Sequence, residues 1–266
     1  MTFGKSLVII TGASRGIGRE IAVQTARQVA PGSVFILTAR NDQLLSKIKE
    51  ELFKINGAAI IETFASNLEE YHKQEEQAKL QEALERHSRT TFDSLLLFHN
   101  AGTTGDVSKA ASQLNDTSNW NNYMAVNFTS MVQINNQVLE SLKETDIKKK
   151  IVVNITSLVA IRGFPSLCQY SVGKAARESF FRVLATECPD LRILSYSPGP
   201  VDTDMHDSVA KDSFDAGIRA AFSRDAASSE ANRSTLTPTQ TVVKMVKYLQ
   251  EDTYESGSRV DYFDLE

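Results

Sequence analysis

The chain has 266 residues, of which 41% are hydrophobic and 23% are charged, so it can bury the core of a globular protein. A net charge of −4 argues against a nucleic-acid-binding surface, and the longest apolar runs are far shorter than the roughly 18 residues of a membrane span. The two cysteines, Cys168 and Cys188, form no CxxC pattern, so we expect free thiols in a soluble cytoplasmic protein without a nucleic-acid partner, a membrane partner or a bound metal.

In chain order, short runs rich in β-branched residues and leucine alternate with longer amphipathic runs. The predicted strands are Leu7–Thr11, Val34–Ala39, Ala59–Phe64, Ser94–His99, Ile151–Thr156, Arg192–Ser197 and Arg259–Phe263. The predicted helices are Gly16–Gln28, Asp42–Ile55, Glu70–His87, Tyr123–Leu142, Gln169–Thr186 and Pro238–Gln250. This alternation predicts an α/β fold, a Rossmann-type doubly wound parallel sheet of about seven strands with helices on both faces. No linker interrupts the pattern, so we predict one domain over residues 1–266.

Local signals add detail to these elements. We expect Asp42 to cap the second helix and Thr237 to cap the last one, which has a proline at its first position. From Asp202 to Leu236 the chain lacks a strand pattern and has only weak helical patterning, at Ser213–Arg224. So long an irregular segment in a compact domain indicates a lid, here over residues 202–236, above a substrate pocket.

A glycine-rich loop joins the first predicted strand to the first predicted helix. The stretch Thr11–Gly18, TGASRGIG, has the pattern TGxxxGxG, in which glycines permit a tight turn and the close approach of a pyrophosphate to the amides at the helix start. The loop therefore predicts a dinucleotide site. The residues assigned to it are Gly12, Ser14, Arg15, Gly16, Ile17 and Gly18.

The end of the second predicted strand distinguishes NAD from NADP. An acidic residue there binds a ribose 2′-hydroxyl, whereas an arginine accepts a 2′-phosphate. The strand ends Thr38-Ala39-Arg40-Asn41, and Arg15 in the glycine loop supplies a second cation. Two guanidinium groups without a carboxylate at this corner predict NADP(H) as the cofactor.

Further short motifs place polar residues and glycines at the ends of later strands. They are Asn100-Ala101-Gly102, Asn127, Ser157, YSVGK at Tyr170–Lys174, and Pro198-Gly199. With TGASRGIG, and in this order, they resemble the short-chain dehydrogenase/reductase family over nearly the whole chain. The resemblance implies that Ser157, Tyr170 and Lys174 catalyse hydride transfer, that Asn127 supports a water relay behind the lysine, and that the protein is a homodimer.

Residue chemistry supports the catalytic assignment independently. Tyr170 and Lys174 are four residues apart and share one face of a helix. A lysine cation beside a phenol lowers the pKa of the phenol from its reference near 10, which eases proton donation near neutral pH. Ser157, thirteen residues before Tyr170, is placed to bind a carbonyl oxygen. We therefore predict hydride delivery to a carbonyl carbon while Tyr170 protonates the oxygen.

The family resemblance also extends the cofactor site and shows two departures. His99 stands where the family often has asparagine, and we expect it to be a packed, hydrogen-bonded histidine. Asn67 stands where many relatives have an aspartate that contacts adenine, and its amide offers both a donor and an acceptor. The further cofactor residues that the resemblance implies are Asn41, Asn67, Leu68, Asn100, Ala101, Gly102, Lys174, Pro198, Gly199, Val201, Thr203 and Met205.

Four longer stretches resemble the pterin-reducing members of the family. They are Asn100–Lys109, Gly173–Arg177, Leu194–Pro200 and Ser256–Asp264. This resemblance implies NADPH-dependent reduction of a pterin side-chain ketone, in the last step of tetrahydrobiopterin synthesis. The implied substrate residues are Ser157, Tyr170, Gly199 and Asp261, and the Asp261 carboxylate can accept two parallel N–H bonds from a pterin edge.

Two other functions stay open at this point. One is an NADPH-dependent reductase of other carbonyls, such as diketones or quinones, because the hydride and proton machinery does not name its substrate. The other, less favoured, is a non-catalytic NADP(H)-sensing protein, which would not need Ser157, Tyr170 and Lys174 together.

Overall fold

The strands of the protein form one parallel sheet. In the computed structural model, which describes residues 3–223 and 235–265, they are β1 (Ser6–Thr11), β2 (Val34–Ala39), β3 (Ile60–Ala65), β4 (Ser94–His99), β5 (Lys149–Ile155), β6 (Leu191–Ser197) and β7 (Ser258–Asp261). Their order in the sheet is β3-β2-β1-β4-β5-β6-β7, and every pairing is parallel. The strand order reverses between β1 and β4, and in such sheets ligands bind at the carboxyl ends of the strands beside the reversal. The predicted fold class is confirmed.

Helices connect the strands and cover both faces of the sheet. Within the described residues they are α1 (Gly16–Ala26), α2 (Asp42–Ile55), α3 (Gln74–Arg86), α4 (Thr117–Met124), α5 (Ser130–Ser141), α6 (Cys168–Glu187), α7 (Asp204–Asp212), α8 (Ala216–Ala221) and α9 (Pro238–Glu251). In residues 3–223 and 235–265, no helix is both long enough and apolar enough to cross a membrane.

Alternate side chains of the strands enter two apolar layers. Val8 and Ile10 of β1 pack with α1, α2 and α9, whereas Leu7 and Ile9 pack with α3, α5 and α6. All four are at most 1% exposed, because successive side chains of a strand point to opposite faces of the sheet. With both faces covered, the ends of the strands are where a site can open to solvent.

Two helical regions differ from the sequence prediction. The residues predicted as the helix Glu70–His87 form a 3-10 turn at Leu68–Glu70 followed by α3. Those predicted as Tyr123–Leu142 form α4, a π-helical turn at Ala125–Thr129, and then α5. A π turn inserts one residue into the helical repeat and occurs often at functional sites, and periodicity alone does not reveal it.

Side-chain caps set the helix starts. Asn41, not Asp42, caps α2: its side chain accepts the N–H of Leu44 at 2.9 Å, and Asp42 is the first helical residue. The prediction of Asp42 was wrong by one residue because both residue types cap helices well. Thr237 caps α9 as predicted, accepting the N–H of Gln240 at 3.2 Å.

The segment predicted as a lid, residues 202–236, is more regular than its sequence indicated. Its described part contains α7, which was not predicted, and α8, which falls in the predicted helical pattern at 213–224. Val201 pairs with Leu236 in a parallel bridge, so the two ends of the segment are joined. Residues 224–234 of the predicted lid lie outside the described residues.

Candidate active site

The residues predicted to bind cofactor and substrate lie along the carboxyl edge of the sheet. Tyr170 and Lys174 of α6 meet the end of β5 there, and Asn127 contacts the loop after β4. Asn67 and Asp261 stand at opposite ends of this edge, since β3 and β7 are the outermost strands. In strand order, the glycine loop follows β1, Arg40 and Asn41 follow β2, Asn67 and Leu68 follow β3, Asn100–Gly102 follow β4, Ser157 follows β5, residues 198–205 follow β6, and Asp261 ends β7.

The glycine loop is held by the loop that follows β4. Gly12 and Gly16 have φ values of +68° and +54°, in the left-handed region that favours glycine. The Asn100 side-chain nitrogen donates to the carbonyls of Thr11 and Gly12, both at 3.0 Å. A Cβ at Gly12 would lie 2.9 Å from that nitrogen, so the close approach of the two loops requires glycine.

The start of α1 is suited to bind an anion. Arg15 is the N-cap residue, and among the described residues no side chain caps the helix. The first turn also has no acidic residue. Uncapped N–H groups at the positive end of the helix dipole favour a phosphate, so the residues present fit an NAD(P) dinucleotide.

Both cations predicted to select NADP are accessible at this edge. Arg40 is exposed after β2. Arg15 forms an ion pair with Asp204 in the first turn of α7, and the two side chains are 60% and 62% exposed. To bind a ligand phosphate, Arg15 must therefore give up its ion pair with the Asp204 carboxylate.

Asn67 is integrated into the turn that follows β3. It opens the 3-10 turn that begins at Leu68, and its side chain accepts the N–H of Glu69 at 3.2 Å. Its own backbone N–H donates to Glu76 at 3.1 Å. Since the side-chain oxygen is engaged inside the protein, the amide nitrogen is the group that Asn67 can offer in place of the aspartate found in many relatives.

Tyr170 and Ser157 meet where β5 ends against α6. Ser157 opens a 3-10 turn and accepts the N–H of Val159 at 3.4 Å. Burial raises the pKa of Tyr170, while a hydrogen bond from Ser157 and the charge of Arg177 act in the opposite direction. The net pKa lies above the ordinary value, so the phenol is protonated at neutral pH, as a proton donor must be. The ring keeps partial access to solvent.

Lys174 is 5% exposed, and its ammonium group donates to the carbonyl of Ile155 at 2.6 Å. The nitrogen lies 5.5 Å from the centroid of the Tyr170 ring. Burial and then the charge of Arg177 hold the pKa of Lys174 well below its usual range, against the opposing charge of Glu178. The lysine lies beside the phenol as expected, and the lowering of the Tyr170 pKa by its charge stays a prediction.

Asn127 projects from the π turn and is 2% exposed. Its side-chain oxygen accepts the N–H of Thr103 at 2.7 Å, and its nitrogen donates to the carbonyl of Tyr123 at 2.9 Å and to the Thr103 hydroxyl at 3.2 Å. These bonds fix the chain that follows Gly102. The water relay implied by the family resemblance stays a prediction.

The loop after β6 leads from the sheet into α7. Gly199 has a φ of +74°, and a Cβ there would lie 3.1 Å from Leu236 and 3.2 Å from Phe263. Thr203 caps α7, and Met205 in its first turn is 36% exposed. Glycine thus lets the backbone turn close to the carboxyl-terminal residues. Val201 holds the end of this loop through its bridge to Leu236.

Asp261 is held in one orientation at the end of β7. The hydroxyl of Ser197, its partner on β6, donates to one carboxylate oxygen at 2.6 Å, and Arg259 lies 3.4 Å from the same oxygen. The other oxygen accepts the N–H of Phe263 at 3.2 Å. Each carboxylate oxygen has two acceptor sites, so the group can still accept hydrogen bonds from a ligand.

His99 is packed, as the sequence predicted. It is 1% exposed, its Nε2 lies 3.3 Å from the side-chain oxygen of Asn135, and its ring lies 5.4 Å from that of Phe181. Burial, followed by the charge of Arg177, lowers the pKa of His99 to about 3. The imidazole is therefore neutral throughout the physiological pH range.

Sequence reasoning missed three side chains at this edge. Arg177 could have been identified from its spacing. It lies three residues after Lys174, so it shares the helical face that packs against the sheet, and its side chain is buried. Asp204 and Ser197 gave no signal, because each acts through a partner distant in sequence.

Similarity to known proteins agrees with this geometry. A family model described as short chain dehydrogenase matches residues 6–213. The chain is 37% identical to sepiapterin reductase of Rattus norvegicus over 98% of both chains, and 38% identical to that of Meriones unguiculatus over 98% of this chain and 97% of the relative. A solved short chain dehydrogenase from Shigella flexneri, complexed with NADP, has the same fold, with a TM-score of 0.74 and 24% identity over 98% of both chains. The chain is therefore an oxidoreductase that belongs to the short-chain dehydrogenase/reductase family.

Proposed function

We propose that the protein is an NADPH-dependent reductase of pterin side-chain ketones, such as those of sepiapterin and 6-pyruvoyl-tetrahydropterin. The observation that carries the proposal is the placement of Asp261 on the same sheet edge as Ser157 and Tyr170, in a chain similar to sepiapterin reductases over nearly its whole length. The last step of tetrahydrobiopterin synthesis is the corresponding reaction.

The choice of NADP over NAD rests on charge. Arg15 and Arg40 flank the corner where a ribose 2′-phosphate would be bound, and planar guanidinium groups pair strongly with phosphate dianions. The glycine loop and the uncapped start of α1 would hold the pyrophosphate. When bound, NADPH supplies the hydride.

The residues of the chain supply the remaining chemistry. Ser157 binds the oxygen of the ketone and orients it, and Tyr170 donates the proton that converts the oxygen to a hydroxyl. Lys174 holds the nicotinamide ribose. Asn127 fixes the loop that begins at Thr103. It also supports the water relay behind Lys174, through which Tyr170 regains its proton.

The pterin would be recognised by charge and shape. The amino-pyrimidinone edge of a pterin presents adjacent N–H donors, and the Asp261 carboxylate can accept both in parallel. Ser197 and Arg259 hold that carboxylate, which reduces the entropy lost on binding. Gly199 beside it keeps space that a side chain would fill.

Two further properties belong to the same proposal. The described part of the predicted lid that begins at residue 202 would close over the substrate, where its exposed apolar residues Met205 and Phe214 would exclude water.

The protein works as a cytoplasmic homodimer in which α6, whose Val172 and Val183 are 43% and 54% exposed, packs against a second copy. Light scattering after gel filtration measures the oligomeric state, and a monomeric mass would contradict the dimer.

The test of the function is an NADPH-oxidation assay that compares sepiapterin with a simple diketone and a quinone. We expect kcat/KM for sepiapterin to exceed the other values by at least about tenfold, because only the pterin can use Asp261. Broad, weak turnover of all three compounds would contradict the pterin assignment.

The substitution Asp261→Asn tests the anchor within the same assay. It preserves the shape and the cap on Phe263 but removes the charge, so we expect KM for sepiapterin to rise about tenfold while NADPH binding and diketone turnover stay unchanged. Glu255→Gln, which neutralises an exposed carboxylate just before β7, is the matched control. An unchanged KM in Asp261→Asn would rule out the anchor.

A further inference from the structure

Arg177 is a charged residue in the interior of the catalytic region that the proposed reaction leaves without a role. Its side chain is 1% exposed, and it lies on α6 three residues after Lys174 and seven after Tyr170. All three residues therefore share one face of the helix.

The guanidinium group makes three hydrogen bonds to two neighbouring strands. Nε donates to the side-chain oxygen of Asn154 in β5 at 2.8 Å, Nη1 donates to the carbonyl of Ala101 at 3.0 Å, and Nη2 donates to the carbonyl of His99. It thus clamps the start of the loop Asn100–Gly102 against β5. Because Asn100 in turn holds Gly12, the clamp extends to the dinucleotide loop.

None of the three acceptors is a carboxylate, so Arg177 is a buried cation held by neutral groups. Such a group costs free energy compared with an apolar side chain of the same size, which points to a role other than stability. Burial lowers the pKa of Arg177 only to about 10, so it is charged at neutral pH. For Lys174, burial and the charge of Arg177 hold the pKa well below its usual range, so they favour the neutral amine.

We propose that Arg177 is a positioning residue: its guanidinium group holds the loop Asn100–Gly102 in the form that binds the dinucleotide. The proposal concerns the hydride-transfer machinery of the family, so it does not depend on the pterin assignment.

Two variants separate the hydrogen bonds of Arg177 from its charge. Arg177→Lys keeps the charge but loses the planar fork that reaches both strands, whereas Arg177→Met loses the charge and the hydrogen bonds. For both we expect the Kd of NADPH to rise about tenfold and hydrogen exchange of the amides at 100–103 to become faster. Near-ultraviolet circular dichroism and thermal unfolding establish that each variant is folded.

The result that would overturn the proposal concerns the loop itself. Wild-type NADPH affinity and wild-type exchange at 100–103 in folded Arg177→Met would show that the clamp does not position the loop.

Discussion

Arg15 and Asp204 form an ion pair that joins the glycine loop to the first turn of α7, although they are 189 residues apart in sequence. The Asp204 carboxylate therefore pairs with the guanidinium group of Arg15 that the proposed 2′-phosphate would bind. We expect Asp204→Asn to lower the Kd of NADPH about threefold, because Arg15 no longer has to leave a protein partner. Fluorescence titration measures the affinity. Asp212→Asn, at the far end of α7, makes the same charge change as a control, and equal affinities in the two variants would contradict the competition.

Arg40 gives a prediction about cofactor choice. Arg40→Asp places a carboxylate where the ribose 2′-group would lie, so it repels a phosphate and accepts a hydroxyl. We expect the ratio of kcat/KM for NADPH to that for NADH to fall at least about tenfold. Lys54→Asp, at the other end of α2, makes the same change in net charge. A ratio that falls equally in both variants would mean that general electrostatics, not a contact at Arg40, selects the cofactor.

Tyr170 gives the most direct test of the chemistry. Tyr170→Phe removes the proton donor but keeps the ring, so we expect kcat to fall at least about 100-fold with little change in the Kd of NADPH. Stopped-flow oxidation of NADPH measures the hydride step. Tyr248→Phe on α9 is the matched control. Ketone turnover that survives in Tyr170→Phe would return the non-catalytic alternative to consideration.

His99 gives a prediction about stability. Its pKa of about 3 in the folded protein lies below its ordinary value of 6.5, so the unfolded chain binds more protons and stability falls as pH drops below about 6.5. We expect urea unfolding of His99→Gln to show a weaker pH dependence than that of the wild-type protein between pH 6.5 and pH 4. The exposed His72, replaced in the same way, is the matched control, and equal slopes in the two variants would contradict the prediction.

Gly199 connects backbone conformation to the substrate side of the site. Alanine there must adopt a φ of +74° with its Cβ 3.2 Å from Phe263, so we expect Gly199→Ala to reduce the free energy of unfolding by about 1–2 kcal/mol. Displacement of Phe263 should also raise KM for the ketone more than for NADPH. Gly163→Ala is the control, since nothing lies within 4 Å of the added Cβ. Equal stability of the two variants would contradict strain at Gly199.

The fold and the sheet edge that carries the candidate site could be predicted because they depend on local patterns. Apolar runs identified the seven strands of the described residues, and the motifs at the strand ends placed the residues assigned to the cofactor along one edge of the sheet. Errors arose where neighbouring residues compete, as with Asn41 and Asp42 at the start of α2, or where the helical repeat changes, as in the π turn that carries Asn127.

The electrostatics of the site could not be predicted from local patterns. The pair Tyr170 and Lys174 predicted a lysine beside a phenol, but it did not show that the ammonium group donates to Ile155 or that a second buried cation, Arg177, lies on the same helix. Which of two neighbouring cations keeps its proton depends on how deeply each is buried and on what surrounds it. Those quantities are set by β4 and β5, which lie far away in sequence.

The position of β7 bears on how substrate preference could change in evolution. Among the described residues it is an edge strand of four residues that pairs with β6, whereas the residues proposed for hydride transfer lie around β1, β4 and β5 in the middle of the sheet. A change at β7 can therefore alter the chemistry of the Asp261 position without repacking the interior. Under the proposed pterin anchor substrate choice is modular, and exchanging residues 255–265 between relatives would change the preferred ketone while the residues proposed for hydride transfer stay in place.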